Sequence, residues 1–126
     1  MNLKNNIKNI KGFILLSKGK VYDSYSGLYK VIDILIKDNL IFKIEKNIQK
    51  KPNYKVIDCK QKIITNGFVD IHSHFREPGS EYKESIYTGA MSAFYGGYTR
   101  VCTMPNTEPV IDTPELVQHV INKSKE

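Results

Sequence analysis

The 126-residue sequence has few cysteines and no long apolar run, which are the features that mark secreted and membrane proteins. Its only cysteines, Cys59 and Cys102, fit neither a disulfide framework nor a zinc-type cysteine pair, which favours reduced thiols. No segment approaches about 18 consecutive apolar residues, and the start of the chain lacks a long apolar core followed by a cleavage site. We therefore expect a cytoplasmic protein that does not bind a membrane.

Arginine is also scarce. The only arginines are Arg76 and Arg100, and the net charge of +6 comes almost entirely from lysines spread along the chain. Since acidic residues are interspersed and no basic stripe alternates with stacking aromatics, the sequence does not indicate a nucleic-acid partner. A hydrophobic fraction of 40% and a charged fraction of 25% are typical of a globular protein with one modest domain or two small pieces.

Residues 1–64 predict a small, β-sandwich-like module of hairpins, with a polar lead-in at residues 1–11. The predicted strands cover residues 12–17, 21–22, 31–36, 40–45, 55–58 and 62–64. A turn signal at Lys18-Gly19-Lys20 joins the first two strands into a hairpin. Asp38 and Asn39 both tolerate positive φ and predict a tight turn in the second hairpin.

The pattern changes after Gly67. The predicted elements are a strand at 68–74, a helix at 82–95, a strand at 98–104 and a helix that begins at Thr113-Pro114. Val69 and Ile71 lie on the strand face that can pack against a helix. Strands that alternate with helices form parallel sheets, so this half predicts a β-α-β-α unit within an α/β fold.

The stretch Gly67–Gly79 contains the main candidates for metal-binding and substrate-binding residues. Side chains alternate along a strand, so Asp70, His72 and His74 point to one face. Two imidazoles at this spacing can bind one metal ion, with Asp70 as a hydrogen-bond partner of a ring. Arg76 follows in the same alternation and indicates an anionic substrate, because guanidinium groups match carboxylates.

Each of these residues also has an ordinary structural interpretation. A bare His-x-His pair occurs by chance in strands, so its spacing alone leaves a metal site a hypothesis. Arg76 is equally typical of a loop arginine in a surface ion pair. Asn106 follows a proline, where asparagine is commonly a turn residue. His119 lies in the middle of the last helix and is not predicted to be a ligand.

Three segments resemble the amidohydrolase superfamily and, within it, the dihydroorotase family. They are Gly67–Gly79, Gly96–Thr99 and Met104–Asp112. The Asp-x-His-x-His pattern marks only the superfamily. Arg76 directly after His74-Phe75, together with Met-Pro-Asn-Thr, is more specific to dihydroorotases. Allantoinases usually lack this arginine, and hydantoinase-type enzymes differ over the whole loop.

The resemblance implies a zinc-dependent hydrolase of pyrimidine biosynthesis that reversibly closes N-carbamoyl-L-aspartate to dihydroorotate. His72 and His74 would bind zinc in a site that is binuclear in the complete enzyme. His74, Phe75, Arg76 and Asn106 would contact the substrate. The implied fold is a β-sandwich-like module followed, at residues 65–126, by the first two β/α units of an incomplete TIM-type (β/α)8 barrel.

Length is the main departure from the family pattern, since a closed barrel needs about 250 residues. The family's bridging carboxylate or carbamylated lysine, its later histidines and its catalytic aspartate cannot be assigned here. Asn66 stands where a proline is common. We expect the N-terminal portion of a longer enzyme that is inactive alone, with a homo-oligomer or a transcarbamoylase as candidate partners. An allantoinase or hydantoinase-type enzyme and a non-catalytic scaffold subunit remain alternatives.

Overall fold

A computed structural model describes residues 11–125, so most of the predicted polar lead-in at 1–11 lies outside the described residues. The chain divides into two compact units, residues 1–65 and residues 66–126. None of the described helices has both the length and the apolar character needed to cross a bilayer.

The first unit contains one five-stranded sheet. Its strands are β1 (Phe13–Asp23), β2 (Leu28–Lys37), β3 (Leu40–Glu45), β4 (Tyr54–Asp58) and β5 (Ile63–Ile64). The order is β3-β2-β1-β4, and β5 also pairs with β1. Strand β2 is antiparallel to both of its neighbours, whereas β4 and β5 run parallel to β1. Because residues 11–65 show a single sheet, the predicted sandwich is not confirmed.

The predicted hairpin at Lys18-Gly19-Lys20 is wrong, because β1 runs through it as one strand. The pairing with β2 shifts register between Leu16 and Gly19, which marks a β-bulge. Lys18 has a φ of 63°, and its backbone amide donates to the Asp33 carboxylate at 2.8 Å. The second predicted turn is confirmed, since Asp38 and Asn39 have φ values of 48° and 70° between β2 and β3.

The core of the first unit lies on β1 and β2. Its buried apolar residues are Leu15, Ile34 and Leu35 on these strands and Cys59, which directly follows β4. Asp33 is buried beside them and accepts a second backbone hydrogen bond, from Ile48 at 2.9 Å. A buried carboxylate is costly without partners, so these two bonds explain how the sheet accommodates it.

The second unit has the predicted β-α-β-α order. It consists of β6 (Phe68–Ser73), α1 (Ile86–Tyr95), β7 (Tyr98–Thr103) and α2 (Pro114–Lys123). Strands β6 and β7 are parallel neighbours, as the alternation of strands and helices predicts. Their carboxyl ends therefore lie at the same edge of the sheet, and the segments that follow them are brought together.

Helix α1 begins four residues later than predicted because of local hydrogen bonds. Ser85 is its N-cap and forms a reciprocal capping box with Thr88. The Glu77 carboxylate accepts from the Ile86 backbone amide at 2.8 Å, which satisfies another free donor of the first turn. The predicted start of α2 is confirmed, with Thr113 as N-cap and proline in the first turn.

The predicted packing of Val69 and Ile71 against a helix is not seen. Val69 is 53% exposed and Ile71 is 76% exposed. Ile86 is the only buried large apolar side chain among the described residues of this unit. Many large apolar side chains of the second unit are therefore exposed in this chain.

Candidate functional site

The two histidines of the predicted metal site lie side by side at the carboxyl end of β6. His72 is within the strand and His74 directly follows its last residue. Their ring centroids are 5.1 Å apart, with an interplanar angle of 60°. Both residues are exposed at the strand end. Two imidazoles this close can approach a single ion, because zinc binds imidazole nitrogen at about 2.0–2.1 Å.

Asn106 reaches His74 from the segment that follows β7. The Asn106 Oδ1 and His74 Nδ1 atoms are 3.0 Å apart. A carboxamide oxygen only accepts, so this hydrogen bond needs the imidazole proton on Nδ1. The other ring nitrogen, Nε2, then has its lone pair free. A histidine that binds a metal through Nε2 needs this tautomer, so the contact fits a zinc ligand of that kind.

Asp70 does not provide the predicted partner for a histidine ring. Its Oδ1 accepts from the backbone amide of His72 at 3.0 Å. The pairing of β6 with β7 is also irregular between Asp70 and Ser73, so strict alternation does not continue to the strand end. The contact of Asn106 with His74 cannot be predicted from local spacing, because it depends on the pairing of strands that are distant in sequence.

Arg76 is exposed, and no carboxylate among residues 11–125 forms an ion pair with it. The alternative of a loop arginine in a surface ion pair is therefore not seen in the described part of the chain. Its backbone carbonyl accepts from Ser80 at 2.8 Å, which fixes the loop that carries it. The guanidinium group is available for an anion.

Phe75 lies against helix α1. A Cβ atom on Gly89 would be 2.7 Å from the Phe75 ring, so the helix approaches closely only because residue 89 is glycine. The aromatic ring also lines a cavity of about 370 Å³ with residues of α1, β7 and α2. This is a packing contact, and the predicted contact of Phe75 with substrate stays a prediction.

The Glu77-Pro78-Gly79 segment, in the loop after β6, is hydrogen-bonded to the loop after β7. The Glu108 backbone amide donates to the Pro78 carbonyl at 3.1 Å. Gly79 has a φ of 102°, and a Cβ there would overlap the Glu108 carbonyl. The hydrogen bond from the Gly79 amide also lowers the pKa of Glu81. Glycine is thus required for conformation and for space.

Residues 11–125 contain no group of three or more His, Cys, Asp or Glu side chains able to hold a metal. The remaining histidine, His119, is exposed in α2. The structure therefore brings together His72, His74 and Asn106, with Arg76 two residues further along the same loop.

Comparison with known proteins identifies the family. A family model described as "Dihydro-orotase-like" matches residues 61–126. A dihydroorotase from Sulfurihydrogenibium sp. (strain YO3AOP1) is 49% identical over 90% of this chain and 27% of its own length. The dihydroorotase from Ligilactobacillus salivarius (strain UCC118) is 44% identical over 89% of this chain and 26% of its own length. The chain thus spans about a quarter of the length of these curated relatives.

Solved structures show the same fold. The L-hydantoinase (dihydropyrimidinase) from Arthrobacter aurescens matches 88% of this chain and 24% of its own, with a TM-score of 0.69 and 20% identity. Similarity at this identity concerns the fold only. The family match and the sequence relatives lead to one conclusion: the chain belongs to the dihydroorotase-like family.

Proposed function

We propose that this chain carries part of a dihydroorotase site, which interconverts N-carbamoyl-L-aspartate and dihydroorotate in pyrimidine biosynthesis. One observation supports this most directly: the rings of His72 and His74 are adjacent, and His74 contacts Asn106, at the carboxyl edge of two parallel strands. In α/β folds, binding groups collect at this edge. The dihydroorotase names of the relatives agree with this activity.

In the proposed site, His72 and His74 hold zinc, and the other ligands come from residues outside this sequence. When bound, zinc polarises a carbonyl and activates water near neutral pH, which suits the making and breaking of a cyclic amide. The chain's contribution is to hold two imidazoles side by side. The hydrogen bond from His74 to Asn106 fixes one ring in the required tautomer.

Arg76 and Asn106 are proposed to bind the carboxylate that N-carbamoyl-L-aspartate and dihydroorotate share. Arg76 forms no ion pair with a described carboxylate, so its guanidinium can form paired hydrogen bonds with the substrate. This pairing also orients the ring atoms relative to the histidines. An allantoinase has less use for such an arginine, because its substrate carries no carboxylate.

Binding of N-carbamoyl-L-aspartate to the zinc-loaded chain tests the substrate assignment. We expect Arg76→Ala to weaken binding by about tenfold or more, since a charged hydrogen bond contributes roughly 1.5–3 kcal/mol. Arg100→Ala is the matched control, because Arg100 is the only other arginine and is exposed on β7. Equal affinities for the two variants would contradict the proposed role of Arg76.

Turnover is best tested in a chimera in which this chain replaces the matching residues of the Sulfurihydrogenibium relative. We expect the chimera to cyclise N-carbamoyl-L-aspartate and to leave allantoin and hydantoin unchanged. Preference for allantoin or hydantoin would favour the other cyclic amidohydrolases. Binding of the substrate without turnover would favour a scaffold subunit.

A further inference from the structure

We propose that Asn66 is a modification site: its side-chain amide converts without an enzyme into aspartate and isoaspartate, and the isoaspartate disturbs the start of β6. Asn66 is the only asparagine in the sequence that is followed by glycine. Glycine offers the least steric resistance to the ring closure that begins this conversion, because it has no Cβ atom. The inference stands apart from the proposed function, since it depends only on the chain around Asn66 and needs neither metal nor substrate.

The fold requires glycine at position 67. A Cβ atom there would overlap the side chain of Thr99 on β7. Thr99 is itself held in place, because its hydroxyl donates to the Phe68 carbonyl at 3.3 Å. The close approach of the backbone to Thr99 therefore keeps a glycine directly after Asn66.

The local backbone leaves the reacting atoms accessible. Asn66 and Gly67 lie between β5 and β6, in neither a helix nor a strand, and both are exposed. In the described residues 11–125, the Gly67 amide donates to no backbone carbonyl, whereas the next amide, that of Phe68, donates to the Gly97 carbonyl at 3.0 Å. The Gly67 nitrogen can therefore react without breaking a hydrogen bond between β6 and β7.

The reaction needs only water. The Gly67 nitrogen loses its proton and attacks the side-chain carbonyl carbon of Asn66. The new C–N bond closes a succinimide ring, and the side-chain nitrogen leaves as ammonia with that proton. Water then adds to one of the two ring carbonyls. Opening of one C–N bond gives aspartate, and opening of the other gives isoaspartate.

Isoaspartate changes the backbone itself, because the main chain then runs through the former side chain and is one methylene longer. The insertion lies directly before Gly67, which packs against Thr99, and Phe68, whose amide begins the pairing with β7. An extra backbone unit disrupts a strand ladder locally, as a β-bulge does. Since β6 contains His72, the conversion alters the strand that carries the candidate site.

The first experiment follows the mass of tryptic peptides during incubation of the metal-free chain at physiological pH and temperature. Cleavage after Lys62 and Arg76 releases residues 63–76, in which Asn66 is the only side-chain amide. We expect this peptide to gain the mass of an OH in place of an NH2 and to split into two chromatographic isomers. Residues 38–43 are the internal control, because Asn39 is also exposed but is followed by Leu40.

Asn66→Gln is the matched variant, since its longer side chain disfavours ring closure, and its peptide should keep its mass. A wild-type peptide that keeps its mass, over a period in which a synthetic peptide of the same sequence converts, would overturn the inference. Equal conversion of Asn39 and Asn66 would also contradict it, because the following glycine would then be unimportant.

The second experiment measures hydrogen exchange in the isoaspartate form after chromatographic separation. We expect the Phe68 amide to lose protection, while the Cys59 amide, which donates to Ser17 in the first unit, keeps it. Asn66→Asp separates the two effects of the conversion, because it adds the charge without the methylene, and it should keep the protection of Phe68. Equal protection of Phe68 in the isoaspartate form and in Asn66→Asp would overturn the proposed effect on β6.

Discussion

The two units of this chain are stabilised in different ways. The first unit buries Leu15 completely, and Ile34 and Leu35 of the same sheet are also buried. In the second unit, Ile86 is buried but Ile71 of β6 is 76% exposed. What the second unit has instead is a set of caps and loop hydrogen bonds around the site. In the second unit, the candidate site is therefore held mainly by local hydrogen bonds.

Truncation of a core side chain is expected to have the largest effect on stability and to separate the two units most clearly. Leu15→Ala should lower the free energy of unfolding of the first unit by about 2–5 kcal/mol, since it removes a fully buried side chain. Ile71→Ala is the matched test in the second unit and should change stability by less than about 0.5 kcal/mol. Residue-resolved hydrogen exchange measures both units in one experiment. A large cost for Ile71→Ala would show that this face is covered.

A glycine substitution tests the loops of the second unit. Gly79→Ala should destabilise that unit by about 2–3 kcal/mol, because backbone strain of this kind costs about 1–3 kcal/mol and the methyl group also overlaps the Glu108 carbonyl. Gly27→Ala is the control, with a φ of 68° but open space around it, and should cost about 1 kcal/mol in the first unit.

Hydrogen-exchange protection in residues 66–125 would show the effect of Gly79→Ala. Comparable effects of the two glycine substitutions, each confined to its own unit, would mean that the contact with Glu108 is unimportant.

Removal of the α1 cap should have a smaller effect. Ser85→Ala is expected to cost about 1 kcal/mol, because the first-turn amide of Thr88 loses its acceptor. Ser92→Ala in the same helix is the control and should be neutral or slightly stabilising, since alanine has the higher helix propensity. Amide exchange within α1 distinguishes the two. Equal protection in both variants would indicate that Glu77 alone caps the helix.

The smallest effect concerns pH and the hairpin of the first unit. Hydrogen bonds from Lys30 and Ser26 hold the pKa of Asp23 well below its usual range. A lowered folded-state pKa stabilises the hairpin above the unfolded value, which is about 3.9, and this contribution is lost as the pH falls through the folded-state pKa. A carboxyl 13C titration should show the lowered midpoint, and Asp23→Asn should remove the acid sensitivity of the Tyr25 and Ser26 amides. A midpoint near 3.9 would contradict this prediction.

Elements with local signals could be predicted from the sequence. Asp38-Asn39 specifies its turn through two residues that tolerate positive φ, and Thr113-Pro114 specifies the start of α2 through a hydroxyl and a preset φ. The bulge at Lys18 could not be predicted this way. Its geometry depends on Asp33, which is 15 residues away in sequence and adjacent only through sheet pairing.

In the candidate site too, contacts between residues that are close in sequence can be predicted, whereas contacts that depend on strand pairing cannot. The closeness of His72 and His74 follows from their separation of two residues near the end of one strand. The hydrogen bond between Asn106 and His74 spans 32 residues and forms only because β6 and β7 pair in parallel. Asp70 instead accepts from the backbone amide two residues later, a local contact that is typical of aspartate and that competes with a contact to a histidine ring.

The central claim is that His72 and His74 bind one metal ion together. Zinc affinity of the whole chain, measured by competition with a chromophoric chelator, tests it in the wild type, His72→Ala, His74→Ala and His119→Ala. We predict a loss of at least about tenfold for each of the first two variants, since even removing a partner of a ligand costs about 10- to 100-fold, and no loss for His119→Ala. Equal affinities across all four proteins would contradict the claim.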